Sequence, residues 1–196
     1  MSAPLIVITG TSASGKTTIL RELLDRHLVD AIRFVTTTTR PMRPDETHAK
    51  SYHFISKEEF ERELAAGTFF EHATVYGQYY GSSKIELERM LAQDKPVLVI
   101  LDVQGAETVR HLYPQTKVIF IDAPDHMLEH RLKGRATDPK DLAERLKSVA
   151  IERRSKEHAD AVIESRDGEL ESSIEQTAAA VRRLSAQPGQ TLGAVA

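Results

Sequence analysis

The stretch Leu5-Ile6-Val7-Ile8-Thr9-Gly10-Thr11-Ser12-Ala13-Ser14-Gly15-Lys16-Thr17-Thr18 decides how the chain is read. From Gly10 to Thr17 it matches G-x-x-x-x-G-K-[ST] in full, the spacing of a phosphate-binding loop. The apolar run Leu5-Ile6-Val7-Ile8 precedes it, as a buried parallel strand would. Ile19, Leu20, Leu23 and Leu24 follow at helical spacing, with charged residues between them. Strand, glycine loop and helix N-terminus in that order surround an anion with backbone N–H groups and the positive helix end. Lys16 adds a charge for β- and γ-phosphates, and the Thr17 hydroxyl a ligand for Mg²⁺. The whole segment from Gly10 through Thr18 is therefore the candidate cofactor-binding element.

The remaining composition bounds the rest. At 196 residues the chain is read as one domain with room for a sizeable core and small inserted subdomains. A formal net charge of -3 gives no global basic field, so neither nucleic acid nor an anionic membrane is an expected partner. The absence of cysteine excludes a disulfide framework and thiolate chemistry, and fits a reducing cytoplasm. No apolar run reaches the roughly 18–20 residues of a membrane span. Residues 186–196 carry turn residues without amphipathic pattern and are read as a disordered tail.

Beyond the first helix, residues 27–32 read as a connector and Phe34-Val35-Thr36-Thr37-Thr38-Thr39 as a strand. Arg40-Pro41-Met42-Arg43-Pro44 is a stiff turn. Tyr52-His53-Phe54-Ile55 reads as a short strand, and Ser56 with Glu59 as a capping box opening a helix over 57–66, closed by Gly67. Residues 69–76 alternate like sheet, and 77–83 read as a turn leading into a helix over 83–92. After this strand- and turn-rich block, helix and strand alternate again. Val97-Leu98-Val99-Ile100-Leu101 and Val118-Ile119-Phe120-Ile121 read as buried strands, with a short helix over 105–112 between them. Helices are predicted near 124–133, after Asp138-Pro139 with an apolar stripe of Leu142, Leu146, Val149 and Ala150, and over 169–184. A last strand falls at Ala161-Val162-Ile163. Such alternation implies an α/β fold with a parallel sheet and ligands at the carboxyl ends of its strands.

Three further groups carry chemistry. Asp102 ends an apolar strand beside the loop, the position of a carboxylate supporting Mg²⁺; a strand-terminating turn aspartate would look the same. Arg40 and Arg43 flank the proline turn, and Tyr52 and Tyr80 bring hydroxyls from the same block. The set suits a second phosphate, although a solvated basic turn has the same composition. Arg131, Arg135 and Arg145 could close over a triphosphate, or form a solvated helix face. His126 and His130 have metal-ligand spacing but no accompanying Glu, and are read as solvated. Two phosphate sites imply phosphoryl transfer between two phosphates rather than hydrolysis. A phosphate acceptor with a second pKa of about 6 needs no general base.

The chain resembles guanylate kinases from about residue 5 to 184. The resemblance rests on GTSASGKTT, TTTTRPMRPDE, SYHFISKEEFE, GTFFEHATVYGQYYGSS, LDVQGAETVR, IFIDAP and RLKGR…RL. It implies a P-loop NTPase core of parallel sheet flanked by helices, at about 4–33 and 83–185. It further implies an inserted nucleotide-monophosphate subdomain at about 34–82 and a lid at about 131–148. The implied reaction is ATP + GMP to ADP + GDP with Mg²⁺. Carried over by position, Arg40, Arg43, Tyr52 and Tyr80 hold the GMP phosphate, while Glu71, Ser82 and Thr36 read guanine. Lys16 and Thr17 serve ATP·Mg²⁺, and Arg131, Arg135 and Arg145 serve the lid; Asp102, placed at the strand end, is assigned to both substrate and metal. Guanine presents adjacent N1–H and N2–H donors that one carboxylate accepts together, which adenine lacks. The chain departs from the family pattern at Ile100, where an aspartate is common, at Glu164-Ser165-Arg166, where Asn-Asp is common, and in a lid about one residue shorter. A phosphotransferase with another acceptor and a catalytically inactive binding module share part of this pattern. Glu71 and Ser82 count against the first, and intact Gly15-Lys16-Thr17 against the second.

Overall fold

The computed structural model describes residues 4–44, 46–134 and 138–186. Strand β1 (Leu5–Gly10) is buried along its whole length and lies at the centre of a five-stranded sheet. Its neighbours are β7 (Val97–Ile100) and β8 (Lys117–Asp122), with β2 (Ile32–Arg33) and β9 (Ala161–Glu164) at the edges. Every pairing in this sheet is parallel.

The apolar run of β1 reads as continuous because successive side chains alternate between two covered faces. Ile6 and Ile8 join Ile19 and Leu20 of α1 (Lys16–Asp25) and Ile174 and Val181 of α7 (Leu170–Ser185). Leu5 and Val7 join Leu87 of α3 (Lys84–Leu91) and Val109 of α4 (Val103–Leu112) on the other face. A third cluster packs Ala13 against Met127, Leu128 and Leu132 of α5 (Asp125–Lys133) and Val149 of α6 (Pro139–Arg154).

A second sheet, ordered β4-β3-β6-β5, occupies the chain between β2 and α3. It contains β3 (Thr37–Thr38), β4 (His53–Phe54), β5 (Phe69–Val75) and β6 (Gln78–Ser83). Helix α2 (Lys57–Ala65) begins where Ser56 Oγ accepts the Glu59 N–H, a cap worth about 1 kcal/mol.

Several local expectations need correction. The β-former run at 34–39 is strand only at Thr37–Thr38, because Phe34 is withdrawn into the core under the main sheet. Ile32, expected at the end of a connector, instead forms with Arg33 the edge strand beside β7. The turn expected at 77–83 is confined to Tyr76 and Gly77, and Gln78–Ser83 is strand. On α6, Leu146 and Ala150 of the expected apolar stripe are exposed. His126 and His130 are exposed, as a solvated face requires. Residues 187–196 lie outside the described residues.

Gly10 marks where β1 must turn sharply away from the sheet. Its φ is 139°, and a Cβ there would sit 1.9 Å from the Ile121 carbonyl oxygen of β8. Gly10→Ala should therefore cost about 1–3 kcal/mol or more in chemical denaturation, since the contacted atom is backbone that cannot swing aside.

Candidate active site

The loop after β1 is closed by backbone bonds, from Thr11 N–H to the Ile121 carbonyl and from Ser14 N–H to the Thr11 carbonyl. Gly15, with φ 101°, is the N-cap of α1, so the positive helix end opens into the loop. Thr17 and Thr18 are half-buried on the first turn. Lys16 Nζ reaches back over the loop and donates to the carbonyls of Gly10 at 2.9 Å and Thr11 at 2.8 Å. Ala13 adopts φ 67°, a left-handed conformation costing a non-glycine residue about 1–2 kcal/mol. Its carbonyl accepts Arg131 Nη1 at 3.1 Å, which fastens one expected lid arginine directly to the loop. Arg131 also pairs with Asp167 after β9. Ser14 Oγ is buried in the loop with no partner among the described residues.

Arg40 is locked by Glu46: Nη1 and Nη2 donate to the two carboxylate oxygens at 3.0 and 2.8 Å. The Arg43 backbone N–H donates to the same carboxylate at 2.9 Å. Burial opposes the Glu46 charge, but Arg40 and the Arg43 N–H hold its pKa below the ordinary carboxylate value. The Arg40 guanidinium lies 5.4 Å from the Tyr52 ring centre, and the Tyr52 and Tyr80 rings meet edge-on at 6.1 Å. Arg40, Tyr52 and Tyr80 are thus brought together, with Arg43 on the adjoining turn.

Glu71 and Ser82 face each other across β5 and β6, after a register shift between Phe69 and Glu71 that re-aims the strand. Ser82 Oγ donates to Glu71 Oε2 at 2.9 Å. Glu71 is only 4% exposed, and burial, opposed by the Ser82 bond and reinforced by Asp102, pushes its pKa up to about 7. A Cβ at Gly105 would lie 2.8 Å from Glu71 Oε1, so only glycine lets α4 approach this carboxylate so closely. Thr36 is buried, with its carbonyl accepting the His53 N–H.

Asp102 is the N-cap of α4, its Oδ1 accepting the Gly105 N–H at 2.7 Å. This cap fixes the carboxylate in place at the start of α4. Ile100 pairs with Ile8 and packs against the apolar cluster beneath the loop. The oxygens of Thr17 and Asp102 fit Mg²⁺, a hard ion that takes one or two protein oxygens and keeps several waters. Among the described residues no group of three His, Asp or Glu could hold a metal by itself, so phosphate oxygens would complete such a site.

Arg145 lies on α6, its Nε bonded to Asp141 at 2.8 Å and its guanidinium 4.3 Å from the Tyr76 ring centre. Arg135 lies outside the described residues. Residues that sequence reading passed over are Glu46, Tyr76, Asp122 and Glu152. Glu152 of α6 accepts Ser12 N–H at 2.7 Å and Ser12 Oγ–H at 3.1 Å. Asp122, 4% exposed, accepts from Thr11 Oγ1, Arg153 and Lys156, and joins the loop to the base of α6. Asp122 had a signal in the sequence, since it ends an apolar strand as Asp102 does. Glu152 had no such signal, since a polar residue in line with Arg145 and Ser148 on a charged helix reads as a solvated face.

A glycine loop at the centre of a parallel sheet, with an arginine–tyrosine cluster on an inserted sheet, defines a P-loop protein with a second basic cluster apart from its loop. The model of the guanylate kinase family matches residues 2–184. A guanylate kinase of Thermosynechococcus vestitus is 45% identical over 150 residues, covering 76% of this chain and 78% of that protein. One of Salinibacter ruber is 37% identical over 184 residues, covering 92% of this chain and 96% of its own. The crystal structure of guanylate kinase from Anaplasma phagocytophilum superposes with a TM-score of 0.72 at 26% identity, covering 95% of this chain and 89% of that one. The chain belongs to the guanylate kinase family.

The folded-state pKa of Glu71 lies above its unfolded value of 4.5, so the folded protein holds the extra proton between them. Its contribution to stability is fully present below about pH 4.5 and is lost as pH rises through about 7. Glu71→Gln should accordingly raise the thermal midpoint at pH 8, by up to about 3 kcal/mol in free energy, and leave it unchanged at pH 4. Equal midpoints for the two proteins at pH 8 would show that the buried charge costs nothing.

Proposed function

We propose that the protein transfers the γ-phosphoryl group of ATP to GMP, giving ADP and GDP in purine nucleotide metabolism. The observation that carries this reading is the buried Glu71 carboxylate, partnered by the Ser82 hydroxyl and held under a glycine of α4. An ionised Glu71 accepts guanine N1–H and N2–H together. Adenine presents no such pair and would leave the buried carboxylate with Ser82 as its donor and no ligand N–H, at about 1–3 kcal/mol or more. Ser82 supplies a hydroxyl beside it, and Thr36 is the further residue assigned to guanine by the family resemblance.

The GMP phosphate is held by Arg40 with Arg43, Tyr52 and Tyr80. Glu46 and the Tyr52 ring fix the plane of Arg40 before the ligand arrives. A GMP phosphate oxygen attacks the γ-phosphorus, the bond from that phosphorus to the β–γ bridging oxygen breaks, and ADP leaves with its electron pair. No base is required of the protein, because the acceptor is already largely dianionic at neutral pH. Loop N–H groups and Lys16 receive the donor phosphates, while Arg131, Arg135 and Arg145 balance charge on the moving group. Thr17 and Asp102 would hold Mg²⁺ together with the donor phosphates, and the ion would supply charge neutralisation there. The site must be closed to water during transfer, because water would otherwise accept the phosphoryl group.

A coupled assay with ATP·Mg²⁺ against GMP, dGMP, AMP and a sugar phosphate tests this reading. Guanine nucleotides should turn over and the others should not. Turnover of AMP with GMP inert would replace it by another phosphotransferase, and GMP binding without any turnover would replace it by a binding module. Glu71→Ala should lower kcat/KM for GMP about a hundredfold and leave ATP affinity within about threefold. Lys16→Ala should slow every acceptor alike.

A further inference from the structure

Tyr76 and Gly77 form the two-residue turn between β5 and β6, with φ of 48° and 70°. Two positive φ values in succession define the type I′ hairpin turn, in which asparagine, aspartate or glycine is the favoured first residue. A tyrosine there carries about 1–2 kcal/mol of backbone strain. The strain is sustained at a point where the acceptor-side sheet touches the donor-side machinery. The Arg145 guanidinium stacks 4.3 Å from the Tyr76 ring centre. The Tyr76 hydroxyl bonds to Ser148 Oγ and lies 3.4 Å from Ser12 Oγ in the phosphate loop. Ser148 Oγ in turn bonds the Arg145 carbonyl, and Glu152, one turn further along α6, is anchored to Ser12. The inward face of α6 is therefore polar, and its arginine is held from two sides. Asp141, on its own helix, takes Nε, and the ring of Tyr76, on another sheet, covers the guanidinium plane.

We infer that Tyr76 is a positioning residue: its ring sets the plane of Arg145, so that this arginine is aligned for the moving phosphoryl group only when the acceptor-binding sheet sits against the loop. The inference rests on the phosphotransfer reading above. A guanidinium whose fork must meet phosphate oxygens is sensitive to its plane, and a displacement of about 1 Å in such a group can cost about a hundredfold in rate. Stacking on an aromatic face fixes that plane without using the N–H donors the phosphate needs. Alignment of Arg145 thus becomes conditional on the sheet that carries GMP.

The test is Tyr76→Asn, which keeps a residue suited to positive φ and so separates folding from function. It should lower kcat for ATP plus GMP about tenfold to a hundredfold, with both KM values within about threefold and the thermal midpoint not lowered. Tyr76→Phe, which retains the ring, should restore kcat to within about threefold of the native protein. Combined with Arg145→Ala, Tyr76→Asn should add no further loss, since the ring then has nothing to orient. Native kcat in Tyr76→Asn while Arg145→Ala is slow would overturn the inference, as would a full additive loss in the double variant. Native kcat in Arg145→Ala would remove Arg145 from the reaction, and this inference with it, without touching GMP turnover by the native protein. Absence of that turnover would instead defeat the phosphotransfer reading itself.

Discussion

The point on which the site depends is the contact between Gly10 and the Ile121 carbonyl. The loop leaves the sheet there because no side chain stands between β1 and β8, and Thr11 N–H then bonds the same carbonyl. Everything on the donor side follows from that departure. Gly15 can cap α1, Ala13 can present its carbonyl to Arg131, and Thr11 can reach Asp122. Parallel pairing then places the ends of β7 and β8 at the same edge, where Asp102 and Asp122 emerge beside the loop. The two aspartates occupy equivalent strand ends but take different duties. Asp102 caps a helix, whereas Asp122 is surrounded by Arg153, Lys156 and a loop hydroxyl.

Much of this was readable in the chain itself. The loop motif, the apolar strands and the α/β alternation all follow from local periodicity, which a buried parallel sheet displays openly. The inserted sheet was harder. Its strands β3 and β4 are two residues long, and their pairing partners lie far along the chain, so β-propensity could not say where Phe34 would leave one sheet and Thr37 join another. Propensity also mistook Gln78–Ser83 for a turn because of its glycine and tyrosines. In the candidate site, the residues that carry a motif or a turn signature stood out, and those that orient them did not. Glu46 and Glu152 act through their partners, and nothing in a single sequence distinguishes them from solvated glutamates.

Helix α6 shows why the expected stripe was misassigned. An amphipathic helix is ordinarily sorted into an apolar inner face and a charged outer one. On α6, Val149 and Leu142 supply a narrow apolar seam against α5, while Arg145, Ser148 and Glu152 turn toward the loop and hairpin. Leu146 is consequently left toward solvent. The sorting rule fails where the inner surface is itself a polar site, and its failure is a marker of one.

The insertion of the second sheet between β2 and β7 also bears on how the chain reaches this state. β1 pairs with β7 in the register Leu5 to Val97, a union of segments far apart in sequence, whereas β5 and β6 are joined by a tight hairpin. Closing a long loop costs conformational entropy before any contact repays it, and that cost rises with the logarithm of the span. A hairpin that forms early shortens the effective span and brings β7 within reach of β1. The left-handed turn at Tyr76 makes that hairpin less favourable by about 1–2 kcal/mol on its own, and contacts with Arg145, Ser148 and Ser12 from distant parts of the chain offset this only once the parallel sheet has formed.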